Sequence, residues 1–201
     1  MKNIIRLISV LLFISCYNET NSLELLDLKE LNMKNTDSKK KLLLTSDEKD
    51  DLLFLRELEK LAKDVYIYSY AKYNSKIFNN IISSEEKHMN SVLNLLEKYN
   101  IEDPASENIG DFKNPYIQDK YNHLIELSET SLINAMIAGD IIEDYYILDL
   151  IIKESRTTKP DLLNVYGSLK CGSKNHLRSF YSQTLLYDGA YTPDYLSPEE
   201  F

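Results

Sequence analysis

A glutamate and a histidine interrupt an apolar helical stripe near the middle of the chain. The apolar members of the stripe recur at steps of three and four residues, and they are Ile77, Phe78, Ile81, Ile82, Met89, Val92, Leu95 and Leu96. This spacing predicts one face of an amphipathic helix, and Glu85 and His88 fall on the same face. A buried carboxylate and imidazole are costly unless a partner compensates them. Because residues three apart on a helix lie side by side, both side chains can reach one metal ion.

Helical segments account for most of the remaining sequence. Long stretches rich in Leu, Ile, Glu and Lys, together with only 5 Gly and 5 Pro residues, predict an all-α fold. Thr45 with Glu48 matches a capping box, and Asn114-Pro115 matches a helix start with proline at the first helical position. The predicted helices span residues 45–73, 75–99, 115–127, 128–155 and 160–187, the last ended by Gly189. Four long helices with a short extra helix between the second and the third predict a four-helix bundle.

Each long helix carries a metal-ligand type of residue on its apolar stripe. These residues are Glu59 on the first helix, Glu85 and His88 on the second, Glu143 on the third and His176 on the fourth. Each lies near the middle of its helix, so that their levels in a bundle can match. The pattern predicts a metal centre between the helices, and a buried polar network is the alternative. Glu57 is interpreted as a surface glutamate.

Four further polar residues lie on or near the inward stripes, and one of them, Ser173 on the last helix, is a candidate for supporting the ligands. Tyr66 and Tyr146 are candidates for supporting the ligands or for donating electrons. The alternative for both is a packed tyrosine whose hydroxyl is hydrogen-bonded. Asp149 lies near the face that carries Glu143 and is also a candidate for supporting the ligands.

The first residues have the pattern of a targeting segment. Lys2 and Arg6 precede a short apolar run that ends at Ser15-Cys16, which is typical of a bacterial lipoprotein signal peptide over residues 1–15 with Cys16 lipidated after cleavage. An ordinary secretory signal is the alternative. Residues 16–44 are polar, have no stable period and are interpreted as a flexible tether, so the folded domain is expected at 45–201. We therefore expect a protein of the bacterial cell envelope, anchored to a membrane by lipid and facing outside the cytoplasm.

The charge of the chain limits its partners. A net charge of −9 at pH 7 disfavours a general nucleic-acid-binding function, which needs a basic face. Nothing in the sequence identifies a protein partner, and a homodimer remains an open alternative.

The combined motifs resemble a ferritin-like bacterial family, domain of unknown function 2202, over residues 51–198. The resemblance is carried by the following segments: residues 59–66 (EKLAKDVY), 84–89 (SEEKHM), 95–99 (LLEKY), Ile142-Glu143, Asp149-Leu150, Gly172-Ser173 and 175–178 (NHLR). It implies a bundle related in layout to rubrerythrin-type di-iron proteins.

The resemblance also implies a ligand set. Carried over position by position, the metal ligands would be Glu59, Glu85, His88, Glu143 and His176. Ser173 stands where the di-iron pattern has the Glu of its second Glu-x-x-His, and Leu58 and Tyr146 stand where relatives often carry acids. These differences lower the negative charge available to hold two divalent ions.

Three carboxylates and two imidazoles suit transition metals such as iron or manganese, as one or two ions. Three functions remain open at this stage. The first is a di-metal oxidoreductase that reacts with dioxygen or peroxide. The second is a metal-binding lipoprotein without turnover. The third is a helical surface lipoprotein without metal, in an interaction or structural role.

Overall fold

The computed structural model describes residues 43–201, and this part of the chain is all-helical. Its five helices are α1 (Ser46–Tyr73), α2 (Lys76–Lys98), α3 (Pro115–Thr130), α4 (Leu132–Arg156) and α5 (Pro160–Leu186). No strand forms within residues 43–201, which confirms the all-α prediction.

The helix ends follow from local capping chemistry. The Thr45 side chain accepts from the backbone N–H of Glu48, and the Glu48 carboxylate accepts from the backbone N–H of Thr45 at 2.9 Å, which is the predicted capping box. Asn74 ends α1 with a φ of 51°, the left-handed conformation that asparagine tolerates better than most residues. The side chain of Asn114 caps α3, and Pro115 occupies the first helical position.

The predicted boundary between the connecting helix and α4 is wrong, whereas the predicted end of α5 near residue 187 is confirmed. The connecting helix continues to Thr130, and α4 begins only at Leu132, because Ser131 adopts an extended conformation and its hydroxyl caps α4 through the N–H of Asn134. At the end of α5 the left-handed residue is Asp188, with a φ of 60°, rather than Gly189.

The helices α1, α2, α5 and α4 pack in a ring, in which each helix contacts two others of the four. Helix α3 packs against α1 and α4 on the outside of this ring. The core is apolar over most of its length, and its largest fully buried side chains include Tyr66, Tyr146, Tyr166, Phe78 and Phe180. The polar cluster described below is surrounded by these buried side chains.

The outer face of α1 is covered as well, by the connection between α2 and α3. Arg56 forms a two-pronged ion pair with Asp103, at 2.9 and 2.8 Å. Glu57 accepts from the backbone N–H of Lys113 at 2.6 Å and is buried. The interpretation of Glu57 as a surface glutamate is therefore wrong, because its carboxylate holds the residues that lead into α3.

The predicted signal peptide (residues 1–15), Cys16 and nearly all of the predicted tether lie outside the described residues. The predicted domain start at residue 45 is close to Ser46, where α1 begins. None of the helices within residues 43–201 is long and apolar enough to cross a membrane.

Candidate metal centre

Glu85 lies at the centre of a buried cluster that contains all five predicted ligands. One of its carboxylate oxygens, Oε2, is 3.0 Å from His88 Nδ1, and the other, Oε1, is 2.8 Å from His176 Nδ1. The helical step of three residues brings Glu85 and His88 together, whereas His176 comes from α5. One carboxylate thus separates two imidazoles, whose ring centroids are 5.5 Å apart.

Two further glutamates flank the imidazoles. Glu59 Oε2, from α1, is 3.6 Å from His88 Nδ1, and Glu143 Oε1, from α4, is 3.4 Å from His176 Nδ1. Each imidazole therefore faces two carboxylates, of which Glu85 is common to both. The four helices of the ring each contribute to this cluster, as the stripe pattern predicts.

Two tyrosines hold the flanking glutamates in a reciprocal arrangement between α1 and α4. The hydroxyl of Tyr66, on α1, donates to Glu143 Oε1 at 2.7 Å. The hydroxyl of Tyr146, on α4, donates to Glu59 Oε1. Both tyrosines are fully buried, so these hydrogen bonds fix the carboxylates without help from solvent. Both tyrosines are therefore packed with their hydroxyls hydrogen-bonded, and each hydroxyl contacts a candidate ligand from the other helix.

Several atoms of the cluster lack hydrogen-bond partners among the described residues. They are Glu59 Oε2, Glu85 Oε1 and His176 Nδ1, all buried. Glu85 Oε1 and His176 Nδ1 are close to each other but are not aligned as donor and acceptor. Buried polar atoms are nearly always satisfied, so three such atoms in one place need an explanation. A cation between them would supply it, because it accepts lone pairs from oxygen and nitrogen alike.

The donor set also passes a geometric test for a metal site. One ligand atom from each of Glu85, His88 and His176 lies within 4.8 Å of the other two. A carboxylate oxygen and two imidazole nitrogens are suitable ligands for iron, manganese or zinc. The residues present therefore fit a transition-metal ion.

Charge coupling within the cluster shifts the protonation of its members. Burial raises the pKa of Glu59 to about 8. Burial would also raise the pKa of Glu85, but the adjacent imidazoles, His176 foremost, lower it below its usual range. For the imidazoles burial acts downward, yet the neighbouring carboxylates raise the pKa of His88 to about 11 and that of His176 to about 10. Without a metal ion, protons on the imidazoles thus compensate the negative charge.

The other two supporting candidates differ from Tyr66 and Tyr146. Asp149 Oδ1 accepts from Lys153 at 2.6 Å, so this carboxylate forms an ion pair on its own helix. Its charge still helps to raise the pKa of Tyr146, behind the larger effect of burial. Ser173 is buried one turn before His176. Its short hydroxyl side chain supplies no carboxylate to the centre.

Gly172 makes a close contact with His88 that no spacing in the sequence predicts. A Cβ atom there would lie 2.5 Å from His88 Nε2, closer than such atoms can approach. Gly139 makes a similar close contact, because a Cβ atom there would lie 2.6 Å from the ring of Phe180. A glycine inside a strongly helical segment was the available signal for both contacts.

The fold and the cluster define an all-α protein with a buried carboxylate–imidazole centre. The chain belongs to the family described as an uncharacterized protein domain, DUF2202, whose model matches residues 48–201. It is 43% identical over 159 residues to uncharacterized protein MJ0754 of Methanocaldococcus jannaschii. The aligned region covers 79% of this chain and 86% of that protein. The crystal structure of the hypothetical protein MJ0754 superimposes with a TM-score of 0.77 and covers 79% of this chain and 91% of that one. The family named as bacterial from its motifs therefore includes an archaeal member.

Proposed function

We propose that this protein is a ferritin-like four-helix bundle that binds one or two iron or manganese ions between α1, α2, α4 and α5. The observation that carries the proposal is the position of Glu85, whose two oxygens face two different imidazole Nδ1 atoms at 3.0 and 2.8 Å. A carboxylate in that position suits a bridge between two ions. Glu59 Oε2 and His176 Nδ1 are buried without a hydrogen-bond partner in residues 43–201, and they support the same proposal from either side of Glu85.

The five residues divide into two sets that share Glu85. Glu59 and His88 would complete one ion position, and Glu143 and His176 the other. Three carboxylates carry less negative charge than two divalent ions carry positive charge. Since Ser173 adds no carboxylate on the His176 side, we expect the position at Glu59 and His88 to bind its ion more tightly.

With iron or manganese bound, the centre would supply metal oxidation coupled to reduction of dioxygen or peroxide. The residues of the chain prepare the centre for such chemistry. Tyr66 and Tyr146 orient Glu143 and Glu59 through hydrogen bonds, and the apolar residues of the ring exclude bulk water. The imidazoles are slightly more exposed than the carboxylates, with side-chain exposures of 11% for His88 and 9% for His176 against 3% for Glu85. A small oxidant would therefore approach from the imidazole side.

The anchor is part of the same proposal. Lys2, Arg6, the apolar run and Cys16 support attachment to a membrane of the cell envelope through a lipid on Cys16. Mass spectrometry of the protein from its native host tests this. A chain that begins at a lipid-modified Cys16 is expected, and an unmodified chain that retains residues 1–15 would exclude the anchor.

One observation favours the competing function, a helical lipoprotein without metal. His88 Nδ1 already donates to Glu85 Oε2 at 3.0 Å, so part of the cluster is satisfied by protons alone. If the whole cluster is such a network, its role is structural and the surface of the bundle carries the function.

A melting experiment with a matched control separates the two. Wild type, His88→Ala and His123→Ala are melted with and without added Mn(II) or Fe(II). His123 is exposed on α3, which makes it the control for removal of an imidazole. A bound ion stabilises the folded state by mass action, by about 2.7 kcal/mol at 100 times the dissociation constant. We expect this gain in wild type and His123→Ala and its loss in His88→Ala. If no ion shifts the wild-type curve, the metal-binding function is wrong.

A further inference from the structure

We propose that Gly172 is a positioning residue of the metal centre, which fixes the His88 ring by having no side chain. The proposal rests on the proposed function, because it concerns how one of the proposed ligands is oriented. A Cβ atom at position 172 would lie 2.5 Å from His88 Nε2 and 2.7 Å from His88 Cε1. Both distances are well inside van der Waals contact. The imidazole thus occupies the space that a side chain on α5 would need.

The ring cannot move away without losing its contacts on the opposite edge. There, His88 Nδ1 is 3.0 Å from Glu85 Oε2 and 3.6 Å from Glu59 Oε2. The ring of His176 lies beside it, with a centroid distance of 5.5 Å. The imidazole therefore lies between Gly172 of α5 on one side and the two carboxylates on the other. Any displacement by a Cβ atom is transmitted to the ligand atom.

Helix α5 consequently sets both imidazoles of the centre. It contributes His176 directly, and one turn earlier it makes room for His88 at Gly172. Glycine is less favourable than alanine inside a helix, so its presence at a helical position without a steric reason would only weaken α5. Gly167 shows the contrast, because a Cβ atom there meets only Glu154 Oε1, at an ordinary 3.8 Å.

This contrast supplies the control for the test. Gly172→Ala and Gly167→Ala are made in the full chain, each in the wild-type background and in His88→Ala. Melting temperatures are measured without metal, and Mn(II) affinity is measured by competition with a chelator. Gly167→Ala should raise the melting temperature through helix propensity and leave Mn(II) affinity unchanged. Gly172→Ala should not raise it, and should weaken Mn(II) binding roughly 10- to 100-fold, the range for loss of a group that orients a ligand.

The His88→Ala background identifies the contact responsible. There the space of the imidazole is empty, so Gly172→Ala should raise the melting temperature as Gly167→Ala does. This non-additivity is the signature of a direct contact between positions 172 and 88. A general defect of α5 would lower the melting temperature in both backgrounds.

Two results would overturn the proposal. One is a Gly172→Ala variant that melts like Gly167→Ala while His88 is present, since the steric contact would then be absent. The other is unchanged Mn(II) affinity in Gly172→Ala when wild type binds Mn(II), since the contact would then position nothing. A wild-type chain that binds neither Mn(II) nor Fe(II) overturns the metal-binding function and the ligand-positioning role together. The wild-type measurement alone shows this result, so it is distinguished from a failure of the Gly172 proposal.

Discussion

Glu85 Oε1 and His176 Nδ1 lie 2.8 Å apart, yet neither atom has a hydrogen-bond partner among the described residues. Two buried polar atoms at this distance would normally be aligned as donor and acceptor. A transition-metal ion placed beside both atoms would bind the carboxylate oxygen and the imidazole nitrogen together. Glu85 is central to the cluster because its other oxygen, Oε2, is hydrogen-bonded to His88 Nδ1 at 3.0 Å.

Replacement of Glu85 should abolish metal binding at both proposed positions. Glu85→Gln keeps the size of the side chain but removes the negative charge common to the two imidazoles. We expect the affinity for Mn(II) to fall by more than the roughly 10- to 100-fold typical of losing a group that only orients a ligand. Bound metal is measured by elemental analysis after purification without chelators.

Glu86→Gln is the control for that substitution. Glu86 is the next residue along α2 and is exposed, and it forms a 3.0 Å ion pair with Lys63 at the surface. Such pairs contribute little to stability, so this variant should retain both metal and melting temperature. Equal metal contents in the two variants would contradict the bridging role of Glu85.

Metal affinity should rise with pH through the neutral range. The neighbouring carboxylates raise the pKa of His88 to about 11 and of His176 to about 10, against the effect of burial. At pH 7 both imidazoles therefore carry protons that an ion must displace. For each proton displaced, the affinity should rise about tenfold for each unit of pH increase. This holds while the pH is below the pKa of that imidazole in the metal-free protein. Affinities at pH 6, 7 and 8 test this, and an affinity that is constant with pH would show that no proton is displaced.

The metal-free protein should show the opposite trend in the alkaline range. An imidazole whose pKa is higher in the folded than in the unfolded state stabilises the fold fully below the unfolded value, about 6.5. That contribution is lost as the pH rises through about 10 to 11, the folded values for His176 and His88. Urea unfolding of wild type and His88→Ala between pH 7 and 10 measures it. The difference in unfolding free energy between the two should shrink as the pH rises.

The central residues of this site could be predicted from the sequence, but the contacts around them could not. Glu85 and His88 were recognisable because they interrupt a regular apolar stripe. The residues that share a helix face follow from the helical period alone, without knowledge of the packing partners. Gly172 and Glu57 were not recognisable, because their roles depend on which element packs opposite them. For Gly172 that element is the His88 ring, and for Glu57 it is the backbone at Lys113. Contacts between segments distant in sequence leave no periodic signal in either segment.

The reciprocal tyrosines were predicted as supporting residues, but their pairing was not. The stripes placed Tyr66 and Tyr146 inside the bundle without indicating which carboxylate each would bind. The structure pairs each tyrosine with the glutamate of the other helix, so α1 and α4 hold one another's ligands.

Removal of the Tyr146 hydroxyl should destabilise the metal-free protein. In Tyr146→Phe, the fully buried Glu59 Oε1 loses its hydrogen-bond donor. An unsatisfied buried acceptor costs about 1–3 kcal/mol, and we expect that loss in the free energy of unfolding. Tyr187→Phe is the control, because Tyr187 is 41% exposed near the end of α5. Equal stabilities of the two variants would contradict a structural role for the Tyr146–Glu59 bond.

Insertion of a carboxylate at position 173 should complete the weaker ion position. Ser173 is buried on α5, three residues before His176, so Ser173→Glu creates a second Glu-x-x-His pair with both members on one face. With four carboxylates the cluster balances two divalent ions, and bound metal per chain should rise. Without metal the added buried acid is uncompensated, so the melting temperature should fall below that of wild type and recover when Mn(II) is added. Ser179→Glu on the exposed face of α5 is the control and should change neither quantity. If Ser173→Glu lowers the melting temperature but Mn(II) does not restore it, the inserted carboxylate does not reach an ion, and position 173 is not part of the metal centre.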